Sequence, residues 1–279
     1  MSQIRNKAEL YQAAAALRRQ LCLPECCTSG VVFDRIQSQP GIQIAFLPFQ
    51  SPALRGMCSP GKPGQEDIIL LSSRLTGRER GFYAAHEWLH LCWHRDASKS
   101  PFLCGEYRFP QQDSFLEWQA NEGAAEILMP WRQVVELVLE CPPDPDSRES
   151  LIRLRLRLAD RFGVSDQMAA VRLESLRYEI ACALEGQSPD TIELLSVREQ
   201  QRRGIQTQSL EEKADVYKRQ HFPGVVEGEI DGVKQIHRLH HHLHDVVPIG
   251  HAMGNIQIEI ELCRTFNLDR FHAFPFPVF

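Results

Sequence analysis

The order of predicted elements assigns this 279-residue chain to the α+β class, with a mainly helical core, a small β-sheet and a helical C-terminal extension. Three observations support this assignment. Apolar residues recur at helical spacing near the start of the chain. Two short β-prone segments follow before residue 73. From residue 77 onward the apolar pattern is helical only, which favours a small sheet with helices packed beside it over alternating βαβ units.

The first part of the chain contains both predicted strands. A helix is predicted over residues 8–20, where apolar residues recur every three or four positions, and a shorter helix over 31–38 follows. Residues 51–65 are rich in Gly, Pro and Ser and are predicted to form a loop. The two predicted strands are β-prone or apolar runs of six residues, and they cover 42–47 and 67–72.

The second part of the chain is predicted to be helical. A capping box opens it, because Thr76 is followed three residues later by Glu79. The helix that follows is mostly apolar and covers residues 77–93. The remaining predicted helices have apolar residues at helical spacing, and they cover 114–129, 131–139, 150–162 and 165–185.

The composition excludes several classes of protein. It contains 43% hydrophobic and 24% charged residues, as in soluble globular proteins. A formal net charge of −5 argues against binding nucleic acid through bulk charge, so no direct nucleic-acid partner is expected. No apolar run is long enough for a membrane span, and the polar N-terminus lacks the apolar core of a signal peptide. We therefore expect a cytoplasmic protein without membrane contact, whose nine cysteines are reduced thiols.

An HExxH motif lies in the predicted helix over residues 77–93. Residues four apart share one helix face, so the imidazoles of His86 and His90 can reach one metal ion. Glu87 points beside the metal, where it can act as the catalytic base that takes a proton from water. Because the five-letter pattern also arises by chance, an amphipathic helix with two solvated histidines is the alternative interpretation.

A catalytic zinc site requires a third protein ligand and leaves one position open. One source is a histidine ten residues after the first, reached through a glycine turn; here those positions hold Asp96 and Trp93. The other source is a glutamate on a second helix, and Glu117 lies there near one face with the small residues Ala120 and Ala124. Small residues let two helices approach closely, so Glu117 is favoured, although Asp96 stays open as a ligand.

Three other polar residues lie near the motifs and are not predicted to be ligands. Glu122 and Glu126 lie on other faces of the second helix and are expected to face solvent or to support the site. His94, four residues after His90, is expected to be a supporting or structural histidine.

At these residues the chain resembles the ImmA/IrrE family of metallo-endopeptidases. The family pattern is a helix of roughly F-x-x-A-H-E-x-x-H-x-x-x-H, followed by E-x-x-A-N-x-x-A-x-x-L-L-M-P. The matching segments here are FYAAHEWLHLCWH, which begins at Phe82, and EWQANEGAAEILMP, which begins at Glu117. Including a helical segment that resembles the one following this core, the likeness covers about residues 5–180.

The resemblance implies an activity, a ligand set and a substrate. It implies a zinc-dependent endopeptidase in which Glu117 is the third ligand, in agreement with the facing-helix interpretation. Family members typically cleave helix-turn-helix transcriptional repressors and so relieve repression, which implies such a repressor as the protein partner. Two positions depart from the pattern: Leu89 stands where glycine is frequent, and Gly123 where a large apolar residue is common. Gly123 is expected to cost about 1 kcal/mol of helix stability relative to alanine.

Two rival functions are compatible with the sequence. The first is a non-catalytic anti-repressor module that binds the repressor without cutting it; the presence of Glu87 favours the enzyme instead. The second is a DNA-binding regulator that uses the helices between residues 150 and 185. A basic helical face is more often solvated than a DNA reader. The arginines that give this segment positive charge include Arg153, Arg155, Arg157, Arg161 and Arg172.

The predicted organisation has three parts. Residues 1–140 form the zinc metallopeptidase domain, and residues 141–214 form a helical extension after the Pro-rich break CPPDPD. Histidine use changes beyond this point, since eight of the eleven histidines follow residue 220. Residues 215–220, DVYKRQ, match the peptide that a transposase-end sequencing adapter encodes in one frame. We therefore interpret residues 215–279 as an adapter-derived or chimeric tail, expected to be disordered; a His-rich metal-binding tail is the alternative.

Overall fold

The structure, a computed structural model, describes residues 4–95, 102–105, 113–144 and 147–212, and for 102–105 it describes the backbone alone. The predicted tail over 215–279 and the alternative ligand Asp96 lie outside the described residues.

The described residues form an α+β fold, which confirms the predicted class. The helices are α1 (Lys7–Gln20), α2 (Ser29–Gln37), α3 (Gly77–Trp93), α4 (Ser114–Leu128), α5 (Trp131–Glu140), α6 (Arg148–Phe162), α7 (Asp166–Ser175), α8 (Arg177–Leu184) and α9 (Val197–Arg202). The strands are β1 (Ile42–Leu47), β2 (Leu54–Ser59), β3 (Asp67–Ser72) and β4 (Phe102–Gly105).

The sheet is larger than the sequence predicted. It has four strands in the order β1-β3-β2-β4, with β1 parallel to β3 and β2 antiparallel to both of its neighbours. The prediction of a loop over 51–65 was wrong for β2, whose sequence LRGMCS contains a glycine and lacks the apolar alternation of a typical strand. This strand forms through ladder hydrogen bonds to two neighbours, a tertiary effect that local propensity does not register.

The predicted helices are present, with changes at their ends. The capping box of α3 is formed, since Glu79 accepts a hydrogen bond of 2.8 Å from the backbone N–H of Thr76. The single helix predicted over residues 165–185 is divided at Leu176 into α7 and α8. α4 is capped by Asp113, whose carboxylate accepts from the Phe115 N–H at 2.8 Å, and its last residue comes shortly before Pro130.

α3 is the central element, because it packs against α2, α4, β2 and β3. Its middle is buried on all sides, which its mostly apolar sequence allows. α4 approaches α3 closely at Gly123, where an added Cβ would lie 2.7 Å from the indole ring of Trp93. Gly123, which departs from the family pattern, therefore leaves room for the large side chain of Trp93 on α3.

Buried ion pairs join the earlier helices α1 and α4 to the later helices α7 and α8. Lys7 of α1 lies 2.8 Å from the Glu179 carboxylate of α8, and both side chains are buried. Arg172 of α7 is fully buried and contacts Glu122 at 2.9 Å and Glu126, both on α4. Its burial contradicts the DNA-binding alternative at this position, because a buried guanidinium cannot reach a phosphate.

No helix within the described part of the chain is both long enough and apolar enough to cross a membrane.

Candidate metal centre

The HExxH segment lies in the buried middle of α3. His86, Glu87 and His90 each have 0% of their surface exposed. The alternative of two solvated histidines is therefore wrong. Three polar side chains without any contact to water require partners inside the protein, since isolated buried polar groups are costly.

α4 brings Glu117 to the two imidazoles, as the facing-helix interpretation predicted. The Glu117 carboxylate oxygens lie 3.5 Å from Nε2 of His86 and 3.3 Å from Nε2 of His90. The two Nε2 atoms are themselves 3.1 Å apart. Ala120 and Ala124, one and two turns further along α4, are fully buried, so small side chains stand where the helices meet.

These donor atoms match the dimensions of a tetrahedral zinc site. Zinc bonds of about 2.0–2.2 Å to imidazole nitrogen and carboxylate oxygen place neighbouring ligand atoms about 3.3–3.6 Å apart in a tetrahedron. The three separations between His86, His90 and Glu117 are 3.1, 3.3 and 3.5 Å. Within the described residues, these three side chains form a group that can hold a metal ion.

The surroundings hold these ligand atoms in the forms that bind metals. Burial acts to raise the pKa of Glu117, but hydrogen bonds and charge attraction from His86 and His90 outweigh it and set the pKa at about 2. Burial lowers the pKa of His90 to about 4. At neutral pH the carboxylate is therefore ionised and the imidazole of His90 is neutral, which are the charge states in which these groups bind a metal ion.

Glu87 lies beside the donor triangle and is not part of it. Burial raises the pKa of its carboxyl to about 8, against the opposing effects of His86 and of a hydrogen bond from the Cys58 thiol. The carboxyl is packed against Gly56 of β2, where an added Cβ would lie 2.7 Å from Oε1. Sequence analysis did not identify Gly56 or Cys58, because β2 was assigned to a loop; a glycine and a cysteine two residues apart in a strand give no signal by themselves.

His94 lies behind His90, on the side away from the donor triangle. Its Nδ1 is 3.0 Å from Nδ1 of His90, and its Nε2 is 2.7 Å from Oε1 of Gln119. Burial lowers the pKa of His94. These contacts agree with the prediction of a supporting histidine, and they add Gln119, which the sequence did not single out.

Glu122 and Glu126 lie away from the donor triangle. Glu126 is buried and its carboxylate accepts from the backbone N–H of Trp131 at 3.0 Å. Glu122 accepts from Arg172 at 2.9 Å and from Tyr11. Both glutamates therefore pair with Arg172. Of the two expected roles, facing solvent or supporting the site, the first is wrong for Glu126, which is buried.

An HExxH helix with a carboxylate from a second helix defines a protein of the metallopeptidase type. The model of the peptidase M78 family, described as the IrrE N-terminal-like domain, matches residues 37–174, and the chain belongs to this family. The family is one of metal-dependent peptidases, and it is the one that the two sequence segments resemble.

The similarity of the chain to a solved structure is low. A transcriptional regulator of Mycobacterium tuberculosis is similar at 18% sequence identity and a TM-score of 0.40, over 62% of this chain and 48% of that one. The chain thus spans about half the length of that protein. No curated protein matches the chain.

Proposed function

We propose that this protein is a zinc-dependent endopeptidase with His86, His90 and Glu117 as zinc ligands and Glu87 as the general base. The observation that carries the proposal is the triangle of donor atoms beside the buried carboxyl of Glu87. Two imidazoles and one carboxylate are a ligand set of catalytic zinc, which leaves a coordination position open for the reaction. Membership in the peptidase M78 family supports the same reaction class.

The reaction is the hydrolysis of one peptide bond by one water molecule. Zinc held by this set supplies Lewis-acid polarisation of the substrate carbonyl and of water. Glu87 takes a proton from the water as the oxygen bonds to the carbonyl carbon. The same carboxyl then gives that proton to the amide nitrogen, the C–N bond breaks, and a carboxylic acid and an amine are released. Without a metal ion, burial raises the pKa of Glu87 to about 8. The positive charge of a zinc ion held beside it would lower that pKa and so favour the ionised carboxylate that takes the proton.

The proposed substrate is a helix-turn-helix transcriptional repressor, whose cleavage relieves repression. This part of the proposal rests on the resemblance to the ImmA/IrrE family. The alternative is an anti-repressor module that binds the repressor without cutting it. The burial of Glu87 beside the metal ligands favours the enzyme, since a binding module has no need for a carboxyl at that position.

The test is cleavage of candidate repressors by the wild type and by Glu87→Gln, followed by mass spectrometry of the products. Loss of a general base typically costs about 10²–10⁴-fold in rate, so the wild type is expected to cut and the variant to be almost inactive while retaining zinc. If neither protein cuts a repressor that both bind tightly, the anti-repressor module is the better account.

A further inference from the structure

A buried cluster of ionisable side chains lies where α4 packs against α1 and α7, away from the donor triangle. The guanidinium of Arg172 on α7 contacts the carboxyl groups of Glu122, at 2.9 Å, and of Glu126, both on α4. Tyr11 on α1 donates its hydroxyl hydrogen to Glu122 and accepts a hydrogen bond of 3.0 Å from Arg172. Because Arg172, Glu126 and Tyr11 are buried, water screens these charges little.

The charges of this cluster do not balance when both carboxyl groups are ionised. One guanidinium then faces two carboxylates, so one negative charge is left without a positive partner. The phenol does not change this count, because burial raises the pKa of Tyr11 well above its ordinary value and keeps the hydroxyl neutral. An uncompensated buried charge is costly, and one bound proton removes it.

The other charged groups near the cluster do not supply the missing positive charge. Lys7 on α1 lies 2.8 Å from the Glu179 carboxylate of α8, so that pair adds no net charge. Arg18, also on α1, donates to backbone carbonyls, among them that of Ile127 on α4. The titratable side chains that α3 turns toward α4 meet it at Glu117, more than two helical turns away: His86 and His90.

Glu126 is the carboxyl that is better placed to hold the proton. Its Oε2 accepts from the backbone N–H of Trp131 at 3.0 Å and from Arg172, so a proton on Oε1 leaves both hydrogen bonds in place. Its side chain is 7% exposed, against 12% for Glu122. Burial raises the pKa of Glu126 to about 7, although Arg172 acts in the opposite direction.

We propose that Glu126 is a proton-dependent contact between α4 and its neighbours α1 and α7: one proton on this carboxyl stabilises their packing, and its loss at alkaline pH weakens it. Since α4 also carries Glu117, the cluster makes the helix of the candidate metal site sensitive to pH through contacts outside the donor triangle.

The direction of the pH dependence follows from the two states of the chain. The folded chain keeps the proton of Glu126 up to a pKa of about 7, whereas the unfolded chain releases it near the ordinary pKa of 4.5. The stabilisation by this proton is therefore complete below about pH 4.5, declines as the pH rises, and is lost above about pH 7.

Urea titrations of the full chain between about pH 5 and pH 8 test the proposal, with the wild type compared to Glu126→Gln at each pH. The glutamine keeps an oxygen for Arg172 and for the Trp131 N–H but stays neutral at every pH. Relative to this variant, the wild-type equilibrium constant of unfolding is expected to rise on the order of 100-fold over this range. The comparison cancels the titration of the buried histidines, which both chains share.

Glu136→Gln is the matched control, because Glu136 is an exposed glutamate on the next helix, α5. This variant is expected to follow the wild type, with no difference that changes with pH. A difference between the wild type and Glu126→Gln that stays the same at every pH would overturn the proposal.

A direct titration covers the case in which Glu126→Gln does not fold. Carbon-13 NMR of the side-chain carboxyl groups is carried out on the folded Glu87→Gln chain, since this substitution removes the other glutamate whose pKa is raised by burial. A glutamate signal that titrates near pH 7 is expected. If all glutamates of the folded chain titrate near the ordinary value of about 4.3, Glu126 holds no such proton and the proposal is wrong.

Discussion

At the scale of single residues, the carboxyl of Glu87 packs against Gly56 of strand β2. Gly56 of β2 has no side chain, and the Glu87 carboxyl occupies the volume that a Cβ there would need, at 2.7 Å from Oε1 and 3.2 Å from Cγ. Since Glu87 has 0% of its surface exposed, its side chain has little room to move elsewhere. Gly56 therefore fixes where the proposed base stands.

The first prediction concerns Gly56→Ala. The added methyl group displaces the Glu87 carboxyl, and a misplacement of about 1 Å at a catalytic group can cost about 10²-fold in rate. We expect kcat for repressor cleavage to fall by that order while about one zinc per chain is retained. Gly77→Ala is the matched control, because a Cβ at Gly77 meets nothing within 4 Å. Equal rates in the two variants would show that Gly56 does not position Glu87.

The steric contact between Gly56 and Glu87 can be tested without any substrate. In the Glu87→Ala background the methyl group of Gly56→Ala has nothing to displace, so its cost in free energy of unfolding is expected to disappear. Overpacking of a buried site typically costs about 1–3 kcal/mol, which a urea titration resolves. The same cost in both backgrounds would contradict the contact.

At the scale of elements, a buried ionic cluster joins three helices: α1, α4 and α7. The guanidinium of Arg172 contacts both Glu122 and Glu126, and it donates to the Met129 carbonyl at 3.0 Å and to the Tyr11 hydroxyl oxygen at 3.0 Å. Burial raises the pKa of Glu126 to about 7, while Arg172 acts in the opposite direction. The cluster holds α4, the helix that carries Glu117, against α1 and α7.

The second prediction is the effect of removing this guanidinium. Breaking a buried ion pair by loss of one partner typically costs about 3–5 kcal/mol, because the other charge stays buried and uncompensated. Arg172→Met is therefore expected to lower the free energy of unfolding by that amount in a urea titration. Arg153→Met is the control, since the Arg153 side chain is 69% exposed and exposed substitutions typically change stability by less than about 0.5 kcal/mol. Similar losses in both variants would contradict the importance of the cluster.

Elements with strong local signals could be predicted from the sequence, and those held by tertiary contacts could not. The capping box of Thr76 and Glu79 correctly placed the start of α3, and Pro130 marked the end of α4. β2 was missed because its residues carry little strand propensity and its two neighbouring strands supply the pairing. The division at Leu176 was missed because the apolar spacing continues through it.

Gly123 shows why a helix propensity alone is a poor guide to stability. Relative to alanine, glycine is expected to cost α4 about 1 kcal/mol. In the structure a Cβ there would lie 2.7 Å from two ring atoms of Trp93 and 2.8 Å from Leu89. The glycine is thus what lets the indole of α3 pack against α4, and the sequence could not show this because it depends on which residues face each other.

At the scale of the whole molecule, the sequence predicted which side chains come together at the candidate metal site, but not what surrounds them. The roles of these side chains as ligands and as base stay predictions. Four residues, His86, Glu87, His90 and Glu117, were identified from spacing and resemblance, because helix geometry fixes which side chains share a face. Gly56 and Gln119 were not identified, since their roles depend on contacts between distant parts of the chain.

The division into residues 1–140 and 141–214 stays a prediction. One buried hydrophobic cluster contains residues from both parts, among them Leu10 of α1, Leu158 of α6 and Ile180 of α8. With the buried pair of Lys7 and Glu179, this cluster joins the predicted extension to the predicted peptidase domain.

The third prediction concerns residues 215–279. A chain that ends at residue 214 is expected to keep its unfolding temperature, its zinc and its cleavage activity, because the predicted site lies entirely before that point. A chain that ends at residue 176 is the control: it lacks Glu179, the buried partner of Lys7, and is expected to lose stability. Failure of the 214-residue chain to fold would show that the later residues belong to the native protein.

The most direct test of the metal site is elemental analysis of the purified wild type beside Glu117→Gln. We expect about one zinc per chain in the wild type and a large loss in the variant, because a neutral amide replaces the ionised carboxylate that completes the donor triangle. A wild type without metal after purification free of chelators, or a Glu117→Gln variant with full zinc content, would contradict the account.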